Sequence, residues 1–342
     1  MAPQQQQGFE SPQQVIGLLQ GFMGSAALRA ALDLEVFTHI AHGTDTAAKL
    51  AETKKVPERA MRILCDALVA FGALGKSDGR YTLPPASQAM LVKGSPTYFG
   101  AMAGIMGNPL MWNEVGRLGD IVRAGHSLLE QGAEAAEHPF WEEFSRRSKQ
   151  MATMAGPAVA ELAASLFAGN EPARILDIAA GSGMYGFSAL KRFPSARLVS
   201  VDWPNVLKLA EPTARQMGLE ERVEFRPGDI FKDALGSGYD LVLAVNIYHH
   251  FGIEQNTELS RRLYEATAPG GRLILVDAVP DENRENERFA LVFALTMLVW
   301  TREGDTYTLS EYKKMLEPAG YKNIELKTVP GPALFQAIVA HK

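Results

Sequence analysis

The stretch Leu176-Asp177-Ile178-Ala179-Ala180-Gly181-Ser182-Gly183 decides how this chain is read. Residues 174–178 predict a short strand that runs directly into a turn of small residues and then into a helix. Glycines in such a turn let the backbone bend sharply and approach a ligand that a side chain would hold away. Gly181, Gly183 and Gly186 also satisfy the spacing Gly-x-Gly-x-x-Gly. At this point a dinucleotide fold with hydride-transfer chemistry and a plain strand-to-helix turn without a ligand both stay open.

Three acids narrow the choice. Asp177 stands four residues before Gly181, where a carboxylate suits a ligand ammonium better than a pyrophosphate, and this favours S-adenosylmethionine. Asp202 closes the next strand-like run, nineteen residues after Gly183, where it can accept both hydroxyls of a ribose. That position suits either nucleotide ligand. Gly228-Asp229-Ile230-Phe231 follows a third run and offers an acid beside an apolar face, as an adenine requires. Ligands of open α/β sheets bind outside the carboxyl ends of the strands, and all three acids fall at such ends.

From residue 173 onward, short β runs alternate with helical stretches, the pattern of a parallel α/β sheet. The runs are 174–178, 197–202, 222–226, 240–246, 271–277, 323–328 and 334–340, with helices over 287–300 and 309–318 before a terminal antiparallel hairpin. The preceding part reads differently. Residues 1–14 are Gln-rich and lack a signal peptide's basic start and apolar stretch, so they read as a flexible tail. Residues 15–94 are mainly helical, with Met61, Leu64, Leu68 and Phe71 on one face, and end in a hairpin signal around Asp78-Gly79, together a winged helix. A DNA-reading role would need a basic exposed helix, but Arg59 and Arg62 are offset by Glu58 and Asp66, which leaves dimerisation or packing. Residues 95–166 form a helical connecting region, and 167–342 the sheet domain.

With 342 residues, two cores are expected. A net charge of -5 gives no electrostatic reason to bind nucleic acid or an anionic membrane, which points to a small-molecule partner. Cys65, the single cysteine, excludes an intramolecular disulfide and a multi-cysteine metal site and fits a reducing, cytoplasmic setting. The apolar run 289–300 is too short to span a bilayer and reads as a buried helix.

Together LDIAAGSG (176–183), VDWPNV (201–206), GDIF (228–231), NIYHHF (246–251) and APGGRLILVD (268–277) resemble the class I S-adenosylmethionine-dependent O-methyltransferases that carry an N-terminal winged-helix dimerisation domain. That family includes plant caffeate and flavonoid, animal acetylserotonin and bacterial polyketide O-methyltransferases. The resemblance implies a Rossmann-like sheet of seven strands with the last antiparallel, a homodimer, and a role in secondary metabolism. It implies that the cofactor is held by Asp177, Gly181, Gly183, Asp202, Trp203, Asp229, Ile230, Phe231 and Asn246, without a metal. His249 matches the family's general base and Asp277 the acid that orients it. The third family member, a Glu, falls at Thr306, with Asp305 one residue away as a substitute. His250 stands where the family has Asp, and Ala179 replaces its first glycine, which a slightly wider turn would accommodate. Phe144, Met151, Met154, His250, Phe293, Met297 and Trp300 are expected to line a pocket for a flat aromatic or polyketide-like acceptor, although core packing explains the aromatic and Met residues equally well.

Overall fold

A computed structural model of the chain describes residues 8–131, 138, 140–167, 169, 171–329 and 335–342. It divides into two compact units, one running to Trp112 and the other from Asn113 to Lys342. The helical stretch 95–166 is therefore shared between them.

The first unit holds α1 (Pro12–Leu19), α2 (Gly21–Asp33), α3 (Val36–Ala41), α4 (Ala47–Lys54), α5 (Glu58–Ala70), the hairpin β1 (Gly75–Ser77) and β2 (Arg80–Thr82), α6 (Pro85–Leu91) and α7 (Ala101–Met106). Helix α8 (Pro109–Val115) spans the boundary. Helix α1 begins inside the expected tail, because Pro12 suits a first helical position and the Ser11 amide donates to Gln14 Oε1 at 3.3 Å. Residues 1–7 of that tail lie outside the described residues. On α5, Met61, Cys65 and Leu68 enter the core, whereas Phe71 caps the helix and is 50% exposed. Asp78 and Gly79 both have positive φ, 49° and 73°, as the tight hairpin turn demands.

The second unit opens with α9 (Leu118–Ala124) and the long α10 (Phe140–Phe167), then alternates strand and helix: β3 (Arg174–Ile178), α11 (Met184–Arg192), β4 (Arg197–Asp202), α12 (Pro204–Gln216), β5 (Val223–Pro227), β6 (Tyr239–Val245), α13 (Ile253–Ala266), β7 (Thr267–Asp277), α14 (Arg288–Trp300), α15 (Leu309–Leu316), β8 (Lys322–Lys327) and β9 (Gln336–His341). The sheet order is β5-β4-β3-β6-β7-β9-β8. Strand β9 pairs antiparallel with both β7 and β8, so it alone runs against the rest.

Alternate residues of each strand face opposite sides, and both sides are covered. Leu176, Ile178, Val242 and Ala244 pack with Leu259 and Leu263 of α13 and Tyr312 of α15. Ile175, Leu198, Leu241 and Leu243 pack with Val159 of α10, Phe187 and Leu190 of α11, and Ala210 of α12. Truncating a fully buried side chain such as Leu176 to Ala would cost about 2–5 kcal/mol. The order reverses at β3, whose neighbours are β4 and β6, and such a switch point opens a crevice at the strands' carboxyl ends.

Candidate active site

That crevice is a cleft lined from three directions. Asp177, Ala179, Ala180, Gly181 and Ser182 follow β3; Asp202, Trp203, Gly228, Asp229, Ile230 and Phe231 follow β4 and β5; Asn246, Ile247, His250 and Phe251 follow β6. Helix α10 closes it with Trp141, Phe144, Ser145, Ser148, Met151 and Ala152, which recur at helical spacing on one face.

The turn after β3 is built on positive-φ residues: Ala179 at 50°, Gly181 at 56° and Gly183 at 77°. Ala179 therefore occupies the left-handed region itself, where the sequence suggested a wider turn, at a cost of about 1 kcal/mol. The Gly181 amide donates to Asp202 Oδ2 at 2.7 Å, and the Trp203 amide to Asp202 Oδ1 at 2.7 Å. The glycine turn and the acid that ends β4 thus hold each other in place. The Gly186 amide donates to Asp177 Oδ2 at 3.1 Å, and a Cβ on Gly186 would stand 2.7 Å from that oxygen. Burial pushes the Asp177 carboxyl up to about 8, against the lowering pull of the Gly186 amide. Burial likewise raises Asp202 to about 6. Lys232 also lines the cleft but pairs with Asp229 at 3.0 Å, which leaves the buried carboxyls of Asp177 and Asp202 as a site prepared for a positively charged, hydroxyl-bearing ligand. Asp229 accepts the Phe231 amide at 2.8 Å, and Phe231 meets Phe251 edge-on at 4.8 Å, which gives an acid and an aromatic wall together.

After β6 the chain enters a left-handed turn at Asn246, φ 54°, and a single 3-10 turn that carries both histidines. His249 Nδ1 lies 2.5 Å from Asp277 Oδ1, and the His249 amide donates to Asp277 Oδ2 at 3.2 Å. Asp277, at the end of β7, is fully buried. With Nδ1–H donating to the carboxylate, Nε2 is the nitrogen left to take a proton. The His249 ring meets Phe293 at 4.9 Å and His250 at 4.3 Å. It stands behind the cleft wall, where His250 is the lining residue. Burial and the neighbouring His249 hold His250 well below the usual imidazole range.

The remaining expected residues fall on both sides of this picture. Thr306 is fully buried, but its Oγ1 donates to Ala290 O at 3.2 Å. Asp305 accepts the Thr306 amide at 2.7 Å and faces Arg284. Their hydrogen bonds run away from His249, to the start of α14 and the loop before it. The loop meets His249 instead through Gly304, where a Cβ would collide with the His249 carbonyl oxygen. Met297 and Trp300 are buried, and Trp300 packs on Phe140 at 4.7 Å. Met154 is 39% exposed and is not among the lining residues, being one turn too far along α10. Trp141, Ser145, Ser148 and Gln255, which sequence reasoning did not single out as site residues, do line the cleft.

Residues 125–322 match the O-methyltransferase domain family and residues 16–93 the O-methyltransferase dimerisation domain. The chain is 30% identical to mouse acetylserotonin O-methyltransferase over 93% of its length and 86% of that protein's. It is 27% identical to the tetracenomycin polyketide synthesis 8-O-methyl transferase TcmO of Streptomyces glaucescens, over 94% of each. Among solved structures, a putative O-methyltransferase from Nostoc punctiforme superposes with a TM-score of 0.91 at 34% identity, covering 98% of this chain and 100% of that one. The structure titled PigF with SAH does so with 0.85 at 25% identity, over 97% and 100%. Fold, cleft and both family matches agree: the chain belongs to the S-adenosylmethionine-dependent O-methyltransferases that carry an N-terminal dimerisation domain.

Proposed function

We propose that the protein methylates a phenolic or enolic hydroxyl of a small aromatic or polyketide-like acceptor, with His249 as general base. The observation that carries this reading is the His249 Nδ1 to Asp277 pair at 2.5 Å beside a cleft lined by Asp177, Asp202 and Asp229. S-adenosylmethionine, when bound, supplies an electrophilic methyl group on a sulfonium. Asp177 would face its ammonium, Asp202 its ribose hydroxyls, and Asp229 with Phe231 its adenine, while Gly181, Gly183, Ile230, Trp203 and Asn246 shape the same wall. A phenol has a pKa near roughly 10 and is a poor nucleophile at neutral pH, so Nε2 of His249 takes its proton as the new bond forms. Asp277 fixes the tautomer and stabilises the imidazolium that results. His250 is unsuited to that task, because its surroundings disfavour the charged form. The reading sets the acceptor against the two histidines and Phe293, with Phe144 and Met151 across from them.

The relatives support this acceptor class, since one is named for tetracenomycin polyketide synthesis and another, from Streptomyces sahachiroi, as a 3-hydroxy-5-methyl-1-naphthoate 3-O-methyltransferase. We further infer a homodimer formed through the N-terminal unit. Its support is the matched dimerisation domain and the exposed Leu18, Leu19, Phe22 and Met23 of α1 and α2. The buried Cys65 is compatible with a reducing, cytoplasmic setting. The test is incubation with S-adenosylmethionine and a panel of phenols and enols, with methylated product and S-adenosylhomocysteine read by mass spectrometry. Acceptor-dependent product that vanishes in His249→Ala supports the reading, and undiminished turnover in that variant overturns the role of the base.

A further inference from the structure

Among the described residues that line the cleft, three buried side-chain atoms stand without a hydrogen-bond partner: Ser145 Oγ, Asn246 Oδ1 and His250 Nδ1. Buried donors and acceptors left unpaired are costly, so such groups at a ligand cleft mark where the ligand completes them. Asn246 belongs to the left-handed turn that follows β6. Ser145 and His250 are elsewhere. His250 adjoins the base, ring to ring at 4.3 Å, and its ring is held edge-on by Trp141 at 5.1 Å. Ser145 is one helical turn beyond Trp141 on α10, so the indole is flanked by both orphaned groups. Ser145 is 2% exposed and His250 9%. Both thus gather around Trp141 on the side of the cleft next to His249, where the proposed function sets the acceptor.

We propose that Ser145 and His250 recognise a second, uncharged oxygen of the acceptor, a hydroxyl or keto group on the same edge of the ring system as the hydroxyl that is methylated. This rests on the O-methyl transfer reading with His249 as base, and it deepens that reading by naming what the substrate carries beside its reacting group. A neutral imidazole and a hydroxyl each offer both a donor and an acceptor and no charge, which matches a hydroxyl or a carbonyl. A carboxylate in the same place would bring a charge to a buried pair that cannot neutralise it.

Binding to the enzyme loaded with S-adenosylhomocysteine tests this independently of turnover. Calorimetry with 2-naphthol, 2,3-dihydroxynaphthalene and 3-hydroxy-2-naphthoate compares no second oxygen, a neutral one and a charged one. The dihydroxy compound is expected to bind about tenfold tighter than 2-naphthol, and the naphthoate no tighter than 2-naphthol. Ser145→Ala and His250→Leu should each reduce that preference severalfold, and His250→Gln, which keeps a donor and an acceptor, should retain most of it. Affinity for S-adenosylhomocysteine should stay within about twofold throughout. Equal binding of the two naphthols, no binding of either, a preference that survives both variants, or a parallel loss of S-adenosylhomocysteine affinity each overturns the proposal. His249→Ala should keep the binding preference while losing turnover, so a failure of the base reading shows itself separately.

Discussion

The raised carboxyl of Asp177 makes cofactor binding depend on pH in a shape that can be worked out beforehand. In the free enzyme the group stands at about 8, so below that it is mostly protonated and offers no charge to a ligand ammonium. The ligand's α-amino group sits beside its own carboxylate and so titrates above the peptide value of about 7.8, staying charged across most of the range. Binding that requires an ionised Asp177 therefore strengthens as pH rises toward 8 and levels off above it. The Asp177 titration factor gives a dissociation constant about fiftyfold larger at pH 6 than at pH 8. Asp202, at about 6, contributes up to about another factor of two at pH 6. Asp177→Asn removes the first factor, so its affinity should vary by no more than about twofold from pH 6 to 8. The assay is calorimetric titration with S-adenosylhomocysteine in constant-ionic-strength buffers from pH 6 to 9. The same linkage acts on folding. The folded pKa lies above the unfolded one, so the native state holds the extra proton, and ligand-free stability falls as pH rises from about 4 to 8, with an upper bound of about 5 kcal/mol. A flat wild-type profile, or an acid limb that persists in Asp177→Asn, would refute the placement of the ammonium at Asp177.

His249→Ala should lower kcat by about 10²–10⁴ while S-adenosylhomocysteine affinity holds, checked by product formation and calorimetry side by side. Ala179→Gly should raise stability by about 1 kcal/mol, because φ 50° strains alanine and not glycine; an unchanged or lowered denaturant midpoint would contradict it. Gly304→Ala forces a Cβ onto the His249 carbonyl and should depress kcat at least tenfold with cofactor affinity kept, whereas equal losses of both would point to a wider collapse. Phe22→Asp, on the exposed apolar stretch of α2, should shift the protein to a monomer in sedimentation at micromolar concentration, and an unchanged mass would sink the dimer surface.

The strands 174–178 and 197–202 were readable to the residue because each opens on an arginine and closes on the turn that bears the site. The hairpin at Asp78-Gly79 was readable for the same reason, a turn with one permitted chemistry. Strand β7 begins four residues before the apolar run, at Thr267, because the irregular register near Tyr239 pairs it past its glycines. Acids at strand ends are legible since the sheet fixes where their side chains go. Helix faces are not. Helix α14 is apolar all round, so sequence could not tell that Met297 and Trp300 are buried while Val292 and Leu295 are exposed. Ser145 and Ser148 read as ordinary helix polar residues until the cleft shows what they face. Gly304 carries no signal of its own, as its importance lies in the backbone pressed against it.

Strand β9 is the last of the sheet to appear in the chain, yet it lies between β7 and β8. While this protein is being synthesised, the strands from β5 to β7 in the sheet order can pair with one another, but the place beside β7 stays empty. Strand β7 keeps an open row of amides and carbonyls until residues 336–341 leave the ribosome, and β8 has no neighbour at all. The cleft acids are carried by strands made long before that moment, but Asp277 sits at the carboxyl end of β7, directly opposite Gln336. The His249–Asp277 pair is thus among the last parts of the molecule to be fixed, and a nascent chain stalled short of β9 would present an aggregation-prone edge in place of an enzyme.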